Sequence, residues 1–377
     1  MSVSVNNRRT RMRSALAAVL TVLILLPAGI LFARVWSDVS ELDDSTRLEQ
    51  KGAEYITALS PLVSALAEAQ TSSLSGVKAT PGSLTAAIAG VNAVDQRLGT
   101  DLGTRDRWTG LKQKIDLLSK ETGSPAAAFD AHVEVTELAL ALYEAVRDNS
   151  GLLHDPDNDI LHLADAVAID LPATVVQVSR MGDLSQLVAK ATGQQRDQLG
   201  AKFAASVSAV ETSVGGLTDN LQEAVDDTNS ATLSGNLVTG LDNFRRGVES
   251  FIRGANLGGT PNVATMATAQ SQLQISLGSL AGIINREMSR LLEDRLDNLA
   301  YRTLEALVAA GAAVLLAVAA IVVPLTTRRR SAHAGVRTPG EAARDMTMGA
   351  HGGEPDRPVP AYGEATSSRR ERSGALR

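Results

Sequence analysis

ALVAAGAAVLLAVAAIVVPL, Ala306 to Leu325, is a run of twenty uncharged residues with Arg328-Arg329-Arg330 close behind it. As a helix rising about 1.5 Å per residue, such a run spans roughly the 30 Å hydrocarbon core of a bilayer. A second uncharged run, Ala15–Ala33, follows Arg8, Arg9, Arg11 and Arg13. Pro27 and Gly29 inside it are tolerable in a membrane helix, where neighbouring groups re-satisfy the freed backbone. Two such runs make everything between them one long segment on one side of a membrane.

The organisation predicted from these anchors is a basic N-terminus over 1–14, a first span over 15–33 and an outer domain over 34–302. A second span over 303–325 and a tail over 326–377 complete it. A cleaved signal peptide is the competing reading of the first run. Against it, the run is longer than a usual signal core, and Leu31-Phe32-Ala33-Arg34 is a poor small-x-small cleavage site. An uncleaved anchor is therefore expected.

Charge gives the orientation. The net −6 divides into +4 over 1–14, +4 over 326–377 and −14 between them. Lys/Arg excess marks cytoplasmic flanks, so both ends are expected inside a cell membrane crossed twice, with 34–302 outside. The acidic middle argues against a nucleic-acid partner. The bilayer is the partner that the sequence names outright. No cysteine is present, which excludes disulfides and thiolate chemistry.

Only 3% of residues are aromatic, and no stretch alternates with period two. Apolar side chains instead recur at helical spacing: Leu59, Leu62, Leu66 and Ala69; Phe129, Val133, Thr136, Leu140 and Tyr143; Phe203, Val207, Val210, Val214, Leu217, Leu221 and Ala224. The last set predicts one helix from about Asp183 to Asp227. Leu277, Leu280, Ile284, Met288, Leu291 and Leu299 carry the spacing toward the second span.

Helix starts are predicted at Thr80-Pro81, Ser124-Pro125, Asp155-Pro156 and Thr260-Pro261, where a capping side chain precedes a proline that needs no donor. Pro61 and Pro172 fall within apolar periodicity and predict kinks. The fold class is all-α: a long helical bundle between two membrane helices, with lengths that point to two stacked tiers. The Gly-, Pro-, Ser- and Arg-rich tail is expected to be disordered.

Asp155-Pro156-Asp157-Asn158-Asp159 is the densest polar stretch. It resembles the start of a calcium loop, but Ile160 and Ala166 stand where that loop needs Gly and Glu. Helix capping is the reading preferred. His132, His154 and His162 do not share a helical face, so no metal or other cofactor is implied. There is no G-x-S-x-G turn, phosphate loop or H-E-x-x-H pair, and an enzyme is not expected.

The stretch VRDNSGLLHDPDNDILHLADAVAIDLPATVVQVSRMGD, Val146–Asp183, resembles part of the extracytoplasmic input domains of bacterial methyl-accepting chemotaxis receptors and sensor histidine kinases. Val146, Asp148, Ser150, Leu152, Asp155, Pro156, Asp157, Asp159, Leu163, Asp165, Leu171 and Pro172 carry the likeness. It implies a sensory role for these positions, structural or close to a ligand, and a homodimer. Ile160, Leu161, His162 and Ala164 depart from its Ser-Tyr-Tyr and Met. Such sensors continue after the second span into a HAMP linker and an output module, for which 326–377 has no room. Signalling is then expected to pass through a partner such as a sensor kinase or chemoreceptor. Two readings stand: a receptor-like protein sensing a ligand or partner, and a non-catalytic membrane scaffold without a ligand.

Overall fold

Ala, Leu and the straight-chain residues that make up much of this sequence lose little freedom in a helix, and the chain takes that option wherever it can. The computed structural model describes residues 4–77, 80–121, 123–228, 230–256 and 260–331. Among these it contains α1 (Ser4–Leu74), α2 (Gly82–Leu98), α3 (Arg105–Leu118), α4 (Pro125–Ser150), α5 (Asn158–Asp165), α6 (Leu171–Lys190), α7 (Gly193–Asp227), α8 (Ala231–Ala255) and α9 (Val263–Ser331), and no strand. The fold is all-α.

Side-chain bonds fix the direction of each leg. Lys51 to Asp101 (2.5 Å), Tyr55 to Asp95 (2.9 Å) and Ser83 to Glu68 (2.6 Å) run α2 antiparallel to α1. Asn149 near the end of α4 donates to the Leu102 carbonyl (2.7 Å), so α3 climbs and α4 returns. α7 descends beside α5 and α6, with Lys202 on Asp130 (3.1 Å) toward one end and Thr228 on Asp159 (2.8 Å) at the other. α8 and α9 form a hairpin in which Gly247 packs on Leu273 and Gly254 on Met266.

The turns at 99–104 and 151–157 and the residues Thr228 and Ser230 therefore share one level, and the turns at 75–77, 119–121, 191–192 and 260–262 share the other. This is one tier of up-and-down helices, not the two stacked tiers predicted from helix length. The extra length belongs to α1 and α9, of 71 and 69 residues, which run on beyond the bundle.

The predicted faces are largely inside. Leu59, Leu62, Leu66, Val210, Leu217, Leu277, Leu280, Ile284 and Met288 are buried, each worth about 1.5–3 kcal/mol for removal from water. The single helix predicted over Asp183–Asp227 is two. α6 ends at Lys190, Ala191 and Thr192 are extended, and Gly193 takes φ +57°, which a glycine adopts without a Cβ penalty. That turn folds α7 back along α6.

Ser124 caps α4 as predicted, its Oγ accepting from the Ala127 amide at 3.2 Å. Two other starts fall later than predicted, at Asn158 and at Val263, where the Asn262 side chain takes the Thr265 amide at 3.1 Å. Pro61 sits within α1 without ending it. Pro172 lies in the first turn of α6 directly after a π-turn, Ala166–Asp170. That wider turn absorbs the missing donor, and α5 and α6 continue as one rod.

Two helices, α1 and α9, are long and apolar enough to cross a membrane. Their apolar side chains face outward there, with Leu23, Leu26, Leu315 and Leu316 all well exposed. Just inside these stretches, Val35, Trp36 and Val39 of α1 and Ala300, Thr303 and Ala306 of α9 line one groove, so the two helices run side by side as a stalk. α9 stays helical to Ser331, through the first six residues of the predicted tail. Residues 332–377, with the predicted disorder, lie outside the described residues.

Candidate functional site

Thr46, Glu49, Ala53, Ile56 and Leu59 recur at spacings of three and four on α1, and all are buried. Helical phase thus carries one carboxylate, Glu49, into the interior. A buried charge is costly unless it is paired. Its partner is Arg295 of α9, with Nη1 2.9 Å from Glu49 Oε2.

The same guanidinium grips the Asp155-Pro156-Asp157 turn. Arg295 donates to both oxygens of Asp155, at 2.6 and 3.0 Å, and to Asp157 Oδ2 from Nη2 (2.7 Å) and Nε (3.1 Å). The planar fork of arginine suits such two-pronged binding, and lysine could not reproduce it. The Asp155 side chain is fully buried, whereas that of Asp157 is 56% exposed. One cation serves three carboxylates, so the cluster has an excess of negative charge when all are ionised. Burial, and then the neighbouring Asp155, push Glu49 up to about 7 against the pull of Arg295.

The residues singled out from sequence are divided by the fold. Asp155 and Asp157 meet at Arg295, and Asp155 Oδ1 also accepts the Asp157 amide at 2.8 Å. The reading of this stretch as a helix cap is corrected for Asp155, whose main role is the buried ion pair. Asp148 and Asp165 share a different cation, Arg147, at 3.0 and 2.7 Å. Asp159 accepts from the Ile160 amide (2.9 Å) and the Thr228 hydroxyl, tying α5 to the end of α7. Ser150 is buried against Gly52 and, among the described residues, its side chain bonds only the Arg147 carbonyl (3.1 Å). Pro156 is exposed, and Pro172 is buried on a cleft wall.

That cleft, of about 780 Å³, opens farther from the stalk than the Arg295 cluster. Pro61 on α1, Pro172 on α6 and the small residues Gly278, Ala281 and Gly282 on α9 shape it. Asn285 and Arg286 stand beside the small residues on the α9 wall.

Higher still, Asp183 lies fully buried with no cation against it among the described residues. Gln70 Nε2 and Thr71 Oγ1 each donate to it at 2.9 Å, and Ser179 Oγ lies at 3.5 Å. Burial outweighs these bonds and pushes Asp183 up to about 7. His132 is also buried, and burial lowers it to about 4, with Nδ1 unpartnered among the described residues.

Glu49, Arg295 and Asn285 were not singled out from the sequence. Glu49 could have been, because it falls on the apolar phase of α1. Arg295 could not, since in Glu293-Asp294-Arg295-Leu296-Asp297 it reads as one more charge on a solvated helix. No protein-family model, curated protein or solved structure matches this chain. The functional reading therefore rests on the site itself.

Proposed function

We propose that this is a receptor-like membrane protein whose extracytoplasmic helical bundle reports its state through the paired terminal helices. The observation that carries this reading is the Arg295 cluster. It binds α1, α9 and the loop before α5 at the point where the bundle narrows to the stalk. The loop it grips is the Asp155-Pro156-Asp157 segment of the stretch that resembles bacterial sensor input domains.

In this reading both basic ends lie in the cytoplasm and the acidic bundle lies outside. A change in how α6 and the loop before α5 pack shifts α9 against α1. A displacement of about 1–2 Å, or a small rotation, is the scale on which helix interfaces switch. The movement passes inward along α9 to a partner of the kinase or chemoreceptor type, with homodimerisation as in the sensors resembled.

The test uses the full chain in lipid nanodiscs. Its lack of cysteine allows Val39→Cys and Thr303→Cys to be introduced as the only thiols. The rate at which they cross-link, with and without mixtures of organic acids, amino acids and inorganic anions, reports on the stalk. A rate that responds to one mixture supports a receptor. A rate and melting midpoint indifferent to all of them support a scaffold without a ligand.

A further inference from the structure

Nη1 of Arg295 donates to two carboxylates at once, Glu49 Oε2 at 2.9 Å and Asp155 Oδ2 at 3.0 Å. Both acidic side chains are inside, 3% and 0% exposed. They stand side by side on one nitrogen, within hydrogen-bonding reach of each other. Two ionised carboxylates so close repel, and the interior holds little water to screen them. The guanidinium balances one of the two. A single proton shared between them balances the other and turns the repulsion into a bond.

The groups around Glu49 supply no substitute for that proton. On its own helix, Arg47 and Lys51 are drawn away to Asp43 (2.7 Å) and Asp101 (2.5 Å), and Thr46 on the same face is uncharged. The turn after α4 approaches with Gly151. The loop before α5 brings two negative charges, Asp155 and Asp157, while His154 in that loop is exposed. α9 brings Arg295, which these acids already share. Solvent reaches the cluster through a cleft of about 1030 Å³, lined by Asp157, Arg295 and Asn298.

The two states of the pair therefore differ at the joint. With the proton present, α1, α9 and the loop close on one guanidinium. Without it, the interior carries one charge more than Arg295 offsets, and relief comes from letting water in between the helices. Burial and Asp155 hold Glu49 up at about 7, above its ordinary 4.5. The stabilising contribution is thus full below about 4.5 and is lost as pH rises through about 7.

We propose that the Glu49–Asp155 pair is a proton-operated latch on the stalk: with the proton held, Arg295 clamps α9 to α1, and its loss loosens both from the loop before α5. This names a regulator of the receptor-like function and rests on that reading, because the latch sits where the bundle meets the stalk.

The test uses the full chain in nanodiscs, with nitroxide labels on Val39→Cys and Thr303→Cys. Dipolar broadening between the labels is expected to be strong at about pH 5.5 and weak at about pH 8.5. Glu49→Gln copies the neutral side chain and should keep the broadening strong at both values. It should also raise the melting midpoint by about 2–4 °C at the higher pH and change it little at the lower. Asp183→Asn removes the other buried carboxyl and should leave the pH response of the labels intact.

Broadening in the parent that ignores pH overturns the proposal. So does a Glu49→Gln variant that responds as the parent does, or a response abolished by Asp183→Asn. A Glu49→Gln variant that fails to fold overturns it as well, because the closed latch already holds a neutral side chain. Labels that answer pH through Glu49 while the stalk ignores every solute mixture leave the latch standing and remove the small-molecule receptor. A stalk that answers a solute but not pH does the reverse.

Discussion

Arg295 and Asp155 meet through two parallel hydrogen bonds, Nη2 to Oδ1 at 2.6 Å and Nη1 to Oδ2 at 3.0 Å, although 140 residues separate them in sequence. Removing the guanidinium strands Asp155 and Glu49 in the interior without a counter-charge. Arg295→Met is expected to cost about 3–5 kcal/mol in urea unfolding. Arg295→Lys, which keeps the charge without the fork, is expected to cost less. A methionine variant as stable as the parent would show that the cluster does not hold the bundle to its stalk.

Asp183 gives a pH dependence opposite to that of an ordinary paired carboxylate. Burial raises it from 3.8 to about 7, so the folded chain keeps this proton to higher pH than the unfolded chain does. Its contribution to stability is full below about pH 4 and is lost as pH rises through about 7. Glu49, also raised to about 7, acts in the same direction. His132, lowered to about 4, acts in the other: its contribution is present above about pH 6.5 and lost as pH falls toward 4. Asp183→Asn should flatten the decline between pH 4 and 7 and gain on the order of a few kcal/mol at pH 8. Parallel stability profiles for variant and parent would contradict the raised value.

Two helical glycines are expected to respond with opposite signs. A Cβ at Gly182 would run into the side-chain amide of Gln270, which is itself buried where α6 meets α9. Gly182→Ala should destabilise by about 1–3 kcal/mol through overpacking. Gly278→Ala meets open space and should stabilise by up to about 1 kcal/mol through helix propensity. Thermal melts of the two variants side by side decide whether close approach or propensity governs each position.

Gly193 is the hinge between α6 and α7, at φ +57°. Gly193→Ala is expected to cost about 1–2 kcal/mol, because an L side chain crowds the following carbonyl in that conformation. A neutral alanine variant would mean that the turn relaxes to another backbone path.

The helices were legible because burial repeats along them. Phe203, Val207, Val210, Leu217, Leu221 and Ala224 all lie inside as their spacing requires. The turn at Ala191–Gly193 was missed because one glycine in a helical pattern is a weak signal, and the sign of its φ is not written in the sequence. The two-tier expectation failed for a related reason. Length along α1 and α9 does not say whether a helix is clothed by others or continues alone.

At the site, sequence showed the acidic loop but not its cation. Asp155, Asp157 and Glu49 converge on Arg295 only after α9 has been laid against α1, and nothing local to Arg295 distinguishes it from Arg290 or Arg302.

The Glu49–Arg295 contact closes a separation of 246 residues, whereas most other cross-links join neighbouring hairpin legs. Closing so long a loop is entropically unfavourable until the intervening legs have shortened it. Folding is thus expected to run from hairpins toward this contact, with the stalk zipped last. Weakening Arg295 should then speed unfolding and leave the folding rate nearly unchanged. The final ordering step would then bring together the two helices that are long and apolar enough to cross a membrane.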